Sequence, residues 1–294
     1  MSATDPATIG IDVGGTSVRA ALVDAGGRLR GPLTDVPRAG DLIGQLRTIR
    51  AELDGSTGSV AGIAVPGSID PRSGRIGSAP TAPALVGLGE DDLDSSHLCN
   101  DANAALLAEW RHGAAAGVQN VIGLFSGTGV GGGVIVDGSL LVGARGLGGE
   151  LGHLVLDPAG PVCGCGGNGC LEQFASGTAI ARWYAERTGN QRSTAEVARA
   201  ARAGDAAAAQ AFAVAGGWLG VGAAGLANIF NPEMIVVGGG VAAAWDLVEA
   251  AFGQAVRVHT MPMIRDGLQV RVGELGRAAG VIGAAAAARH GTTP

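Results

Sequence analysis

Glu150-Leu151-Gly152-His153, followed by Cys163-Gly164-Cys165-Gly166-Gly167-Asn168-Gly169-Cys170-Leu171-Glu172, gathers three of the chain's four cysteines and one of its five histidines. A histidine with three cysteines makes a Cys₃His set, the ligand composition of a closed, tetrahedral structural zinc site. The intervening glycines let one tight loop bring three thiolates to a point without side-chain clashes. The metal ligands are then His153, Cys163, Cys165 and Cys170, with Cys99 outside the set. Glu150 and Glu172 flank the ligands, so a zinc-folded loop would fix two carboxylates in space. The competing reading is a disulfide with a spare thiol. Cys163 and Cys165 are too close for an easy bridge, and nothing in the sequence suggests secretion.

Asn100-Asp101-Ala102-Asn103 lies where a strand run ends and a helical run begins. Asp101 there is either a helix cap or a general base, because strand ends in α/β sheets line the ligand crevice. Aspartate accepts from hydroxyls while asparagine both donates and accepts, which suits a sugar. Phosphoryl transfer from ATP needs one group to orient and deprotonate the attacking hydroxyl while Mg²⁺ and donors stabilise the phosphoryl charge. Two glycine turns, Asp12-Val13-Gly14-Gly15-Thr16 and Ser126-Gly127-Thr128-Gly129, could hold phosphates with main-chain N–H groups. All twenty basic residues are arginine, so no lysine serves as a phosphate clamp. Neither the common P-loop nor a dinucleotide-binding glycine pattern is present.

These groups need elements to position them. Short β-branched runs alternate with Ala-rich helical segments, the α/β signal. Strands are expected at Thr8–Val13, Val18–Val23, Val60–Val65, His97–Asn100, Val121–Phe125, Val134–Asp137 and Met234–Val237. Helices are expected at Leu42–Leu53, Ala102–His112, from about Ala243, and over Ala278–His290. Ser193-Thr-Ala-Glu196 reads as a capping box opening another helix. The uncharged stretch Ala206 to Phe230 reads as a buried helix packed through small residues rather than a membrane span. The strand, Gly/Thr turn, strand order of the first thirty residues recurs after Val121, which suggests two related domains with a nucleotide between them. They divide as 1–114 and 115–278, the larger domain carrying the zinc loop 153–172, with the C-terminal helix 279–294 returning to the smaller one. A net charge of −6 without an Arg-rich run argues against nucleic acid as a partner. The start, Met1-Ser-Ala-Thr-Asp-Pro6, lacks the features of a signal peptide, and a cytoplasmic protein with no membrane association is expected.

The pattern Glu-x-Gly-His, then Cys-x-Cys-Gly-x-x-Gly-Cys-x-Glu, resembles the signature of the ROK family of bacterial sugar kinases and sugar-responsive repressors. The two glycine turns look like the phosphate motifs of the sugar kinase, actin and Hsp70 superfamily. Ile235-Val236-Val237-Gly238-Gly239-Gly240 resembles its adenosine motif, the alternative being a plain strand-to-helix turn. The resemblance covers nearly the whole chain. It implies two ribonuclease-H-like (actin-like ATPase) α/β domains with an interdomain cleft and a zinc-binding loop.

The activity implied is that of an ATP-dependent hexose kinase, a glucokinase acting on the 6-hydroxyl of glucose, using ATP, Mg²⁺ and structural Zn²⁺. Asp101 would be the base, and Gly67, Asn100, Asp101, Glu150, His153 and Glu172 would meet the sugar. Asp12, Gly14, Gly15, Thr16, Gly127, Thr128, Gly129, Gly238 and Gly239 would meet the nucleotide, with Asp12 holding Mg²⁺ through water. A homodimer is expected from the family's habit. Kinases for N-acetylmannosamine, N-acetylglucosamine, mannose or fructose, and a non-catalytic sugar-sensing regulator, are the alternatives. Only eleven residues precede Asp12, too few for the DNA-binding segment of a repressor. One departure stands out: where the family commonly has Ala-Asn or Pro-Asn, this chain has Ala79-Pro80-Thr81-Ala82-Pro83. A hydroxyl replaces an amide donor there.

Overall fold

The computed structural model describes residues 7–55 and 59–291. In chain order the elements are β1 (Thr8–Val13), β2 (Ser17–Val23), β3 (Thr34–Pro37), α1 (Leu42–Asp54), β4 (Ala61–Val65), β5 (Ser68–Ile69), β6 (Ile76–Ser78), β7 (His97–Asn100) and α2 (Asp101–His112). There follow β8 (Val121–Ser126), β9 (Val130–Val136), β10 (Ser139–Leu140), α3 (Glu172–Ala175), α4 (Gly177–Thr188), α5 (Thr194–Arg202) and α6 (Ala206–Phe230). The chain closes with β11 (Met234–Gly238), α7 (Trp245–His259), α8 (Pro262–Arg265), β12 (Gln269–Val272) and α9 (Ala279–His290).

They form two compact units. The first comprises the described residues up to Gln119, Gly133–Gly149 and the chain from Glu274; the second comprises Asn120–Gly132 and Glu150–Gly273. The chain thus passes between units more often than a single division near residue 115 allows. Gly133–Gly149 belongs with the first unit because it packs there. A side chain at Gly133 would press on Asn103 and Leu106 of α2, and one at Gly146 on the Ile69 carbonyl.

The first unit's sheet has the order β3-β2-β1-β4-β7. β1 is antiparallel to β2 and parallel to β4, which is parallel to β7. β1 and β4 are buried along their whole length, as strands covered on both faces must be. Alternation sorts their residues. Ile9, Ile11 and Val13 join Leu42, Leu46 and Ile49 of α1 in one core. Gly10 and Gly62 face α9, where a Cβ would lie 2.0 Å from the carbonyl oxygens of Val281 and Ala284. Glycine there lets an alanine-rich helix lie flat on the sheet.

Glu109 of α2 is 1% exposed, and its carboxylate ties α2 to the approach of α9. It accepts from the backbone N–H of Ala114 at 3.0 Å, Glu274 at 3.0 Å and Leu275 at 2.9 Å. Glu109→Gln keeps one acceptor oxygen but turns an amide donor on at least one of the three N–H groups, leaving it unsatisfied at a cost of up to about 3 kcal/mol. Thermal unfolding is expected several degrees below wild type. A melting temperature within about 1 °C of wild type, where 3 kcal/mol predicts a much larger shift, would remove the staple.

The second sheet runs β10-β9-β8-β11-β12, with β8, β11 and β12 parallel. The two sheets therefore share one plan: three strands ending on the central one, then two parallel strands beyond it. β9 begins at Val130 rather than at Val134, where the glycine run places its start. Gly132 lies within the strand, and its missing side chain leaves room for Leu151, which a Cβ would meet at 2.7 Å. Helix α6 is capped by Asp205, whose side chain accepts from Ala207 and Ala208 N–H, and ends at left-handed Asn231. It is long and apolar enough to cross a membrane, but 56% of its apolar window is buried within the protein, chiefly against α7. The capping box forms, with Ser193 N–H donating to Glu196 Oε2 at 2.9 Å and Glu196 N–H to Ser193 Oγ at 3.3 Å.

Candidate active site and metal centre

Antiparallel bridges Val155–Cys170 and Val162–Asn168 close the loop after His153. They bring the ligand atoms of His153, Cys163, Cys165 and Cys170 within 4.8 Å of one another. His153 Nδ1 lies 3.6 Å from Cys163 Sγ, and Cys165 Sγ lies 3.6 Å from Cys170 Sγ. A tetrahedral zinc with Zn–S bonds of about 2.3 Å sets its sulfurs about 3.8 Å apart, so the set fits the ion. All four cysteines are thiols, which removes the disulfide reading in this structure. The Gly167 backbone N–H pulls the Cys165 thiol down, while burial pushes Cys170 up. His153 turns Nδ1 to the sulfurs and leaves Nε2 3.9 Å from Glu150 Oε2.

Glu172 opens α3 and joins the cysteine loop to the Ser126–Gly129 turn. Its Oε2 accepts from Val130 N–H at 3.0 Å, and its Oε1 lies 3.9 Å from Cys163 Sγ. The turn itself is gripped by the start of α4: Gly177 N–H donates to Gly127 O at 2.7 Å, and Thr178 Oγ1 to Thr128 O at 2.7 Å. A trans peptide points its C=O and N–H in opposite directions. With these two carbonyls held by α4, the N–H groups of Thr128 and Gly129 face the other way. Gly238 and Gly239 lie against the end of β8: a Cβ on Gly238 would meet the Phe125 ring at 2.5 Å, and one on Gly239 the Ser126 carbonyl at 2.4 Å. The second unit therefore collects Gly127–Gly129, Gly238, Gly239, Glu150, Glu172 and the Cys₃His set.

In the first unit, Asn100 and not Asp101 caps α2, its Oδ1 accepting from Asn103 N–H at 2.9 Å. Asn100 Nδ2 donates to Gly67 O at 3.0 Å and to Asp101 Oδ1 at 3.1 Å. Asp101 is the first helical residue, partly exposed, in the turn where a helix favours an anion. Gly67 is pinned in turn, since a Cβ would lie 1.9 Å from Ser78 O. One network thus aligns Gly67, Asn100 and Asp101.

Asp12, at the end of β1, is 9% exposed and 3.2 Å from Arg19 Nη1. Burial pushes its carboxyl above the ordinary value, and the Arg19 guanidinium opposes that rise. At Gly280, where α9 begins, a Cβ would stand 2.6 Å from this carboxylate. A compact acidic oxygen pair at a strand end fits a hydrated hard cation such as Mg²⁺. Gly14, Gly15 and Thr16 form the turn beyond it, with Gly14 N–H donating to Ser17 O at 2.9 Å. Arg38 and Thr178, which hold the two turns, are not singled out by the sequence. Neither sits in a recognisable local pattern, though Ser176-Gly177-Thr178 repeats the residues of Ser126-Gly127-Thr128.

Two five-stranded sheets of one plan, each with helices against it, define an α/β protein of the actin-like ATPase class. The ROK family pattern matches residues 8–290, and the chain belongs to the ROK family. It is 34% identical to a glucokinase of Thermotoga maritima, over 94% of this chain and 95% of that one. A ROK family glucokinase from Streptomyces griseus, solved in complex with glucose and AMPPNP, matches with a TM-score of 0.84 at 31% identity, over 97% of this chain and 100% of that one. A ROK hexokinase from Thermus thermophilus matches at 0.79 and 34% identity, over 98% and 97%.

Proposed function

We propose that this protein is an ATP-dependent hexose kinase that transfers the γ-phosphoryl group to the 6-hydroxyl of glucose. The observation that carries the reading is the Asn100–Asp101 arrangement. Asn100 supplies the helix cap and donates to Asp101, and Asp101 Oδ1 also accepts from Ala102 N–H at 2.8 Å, so the carboxylate is held in one orientation, as a base must be. Asp101 accepts the 6-hydroxyl proton as the oxygen attacks the γ-phosphorus and ADP leaves. Asn100, Glu150, His153 Nε2 and Glu172 take the remaining hydroxyls, with Gly67 at the sugar's edge. The N–H groups of the two glycine turns take the phosphates. Asp12 would hold Mg²⁺, which would supply charge neutralisation on the phosphates. His153, Cys163, Cys165 and Cys170 would hold zinc as a full structural ligand set, and the loop so closed would fix Glu150 and Glu172. The likeness to glucokinases over nearly the whole chain supports the substrate. Phosphoryl-transfer assays over glucose, mannose, fructose, N-acetylglucosamine and N-acetylmannosamine test it. Glucose should give the highest kcat/KM, and a panel without turnover would refute the reading.

Thr81 is the proposed specificity position. Its side chain is exposed and offers a short hydroxyl where the family resemblance implies an amide. A polar group made to pair with a hydroxyl rejects analogues that leave it unpaired, so losing that amide relaxes choice at one sugar position. Wild type should phosphorylate at least one epimer or 2-substituted hexose detectably, and Thr81→Asn should raise the glucose preference. An unchanged ratio of catalytic efficiencies would make Thr81 a turn former only.

A homodimer completes the proposal. Ile229, Val258, Met261 and Met263 are 66%, 61%, 54% and 89% exposed on the second unit, and an Asn228–Met261 hydrogen bond of 2.9 Å draws the ends of α6 and α7 together there. Light scattering should return twice the chain mass of 28.8 kDa; a monomer at working concentrations would reject the dimer.

A further inference from the structure

Resting on the kinase reading, we infer that Arg38 is a positioning residue that aims the first phosphate turn at its anion and couples that turn to the loop bearing Thr81. Arg38 follows β3 and is half-buried. Its Nη1 donates to Thr81 O at 2.6 Å, Gly15 O at 3.2 Å and Gly14 O at 3.4 Å. Its own backbone N–H donates to Thr16 O at 3.0 Å. Three consecutive carbonyls of the turn are therefore drawn to one residue. Because each trans peptide opposes its C=O and N–H, holding Gly14 O and Gly15 O turns the N–H groups of Gly15 and Thr16 away from Arg38. Among the described residues neither N–H donates to a protein acceptor, which leaves both directed outward as an anion cradle.

The second phosphate turn uses the same device with different parts, its two carbonyls held by Gly177 N–H and Thr178 Oγ1. In the first turn one guanidinium nitrogen does this work and also holds the Thr81 carbonyl. A shift of the Thr81 loop therefore moves the nitrogen that sets the phosphate amides. Occupancy on the sugar side and on the nucleotide side then shares a mechanical element, and their affinities become linked in both directions.

The test compares wild type, Arg38→Met and Arg38→Lys. Calorimetry measures binding of a non-hydrolysable ATP analogue with and without glucose, beside steady-state kinetics and thermal unfolding. In wild type, glucose should tighten the analogue. Arg38→Met should weaken it on the order of tenfold, the loss of a charge-assisted contact, and abolish the tightening. KM for ATP should rise more than kcat falls. All three side-chain bonds leave one nitrogen, so the lysine ammonium with its three donors should restore most of the linkage. Arg38→Met with wild-type linkage, or a folded Arg38→Lys without it, would overturn the proposal while leaving the kinase reading intact. If Arg38→Met fails to fold, Arg38→Lys carries the decision alone. A wild-type protein that neither binds the analogue nor phosphorylates any hexose would overturn the kinase reading itself and this inference with it.

Discussion

Asp101→Asn should reduce kcat by on the order of 10²–10⁴-fold, the usual worth of a general base, while the protein stays folded and still binds glucose. The carboxamide keeps the shape of the side chain and its oxygen can still accept from Asn100 Nδ2. The cap on α2 is untouched, because Asn100 provides it. What the variant loses is the capacity to take the hydroxyl proton. Calorimetric glucose affinity close to wild type, together with collapsed turnover, would isolate that loss. Turnover above about a tenth of wild type, far outside the range for base removal, would take Asp101 out of the role.

Replacing a metal ligand should damage more than chemistry. Cys163 and Cys170 are 3% and 1% exposed, and the segment around them is closed by two isolated bridges and the proposed ion. Structural zinc in small peptides contributes about 10–16 kcal/mol of apparent binding energy. Cys170→Ser should therefore lose zinc, lower the melting temperature markedly and abolish turnover by releasing Glu150 and Glu172. Cys99 is buried apart from the set, its Sγ 3.8 Å from Ile63 O, so Cys99→Ser should retain one zinc per chain by elemental analysis. Active wild type without zinc, or with a disulfide in this loop, would contradict the assignment.

Residues whose chemistry depends on local spacing are legible in the amino-acid sequence itself. Four candidate ligands close together in sequence declare themselves by type, and Leu42, Leu46 and Ile49 mark a helix face by period alone. Long-range packing is not legible there. Gly132 sits in a glycine run that has the composition of a loop, yet it is a strand residue whose missing side chain makes room for Leu151. Glu109 lies in an ordinary Ala-rich helical run, and only its bonds to Glu274 and Leu275 give it weight. Asp101 suits a cap and a base equally by type; only the fold gives the capping position to Asn100. Glu172 stands out through its neighbours in the cysteine loop, while its bond to Val130 N–H joins residues far apart in the chain. Arg38 belongs to the same class: an arginine after a short edge strand carries no signal until three carbonyls converge on it.

The most direct test of the kinase reading is phosphorus NMR on purified protein given ATP, Mg²⁺ and glucose. Asp101 as base, the two glycine turns as phosphate cradles and the zinc-organised carboxylates as sugar ligands together predict that ATP disappears as ADP and glucose 6-phosphate appear in equal amounts. ATP left intact with glucose and every other hexose, or phosphate found on a hydroxyl other than the 6-hydroxyl, would contradict it.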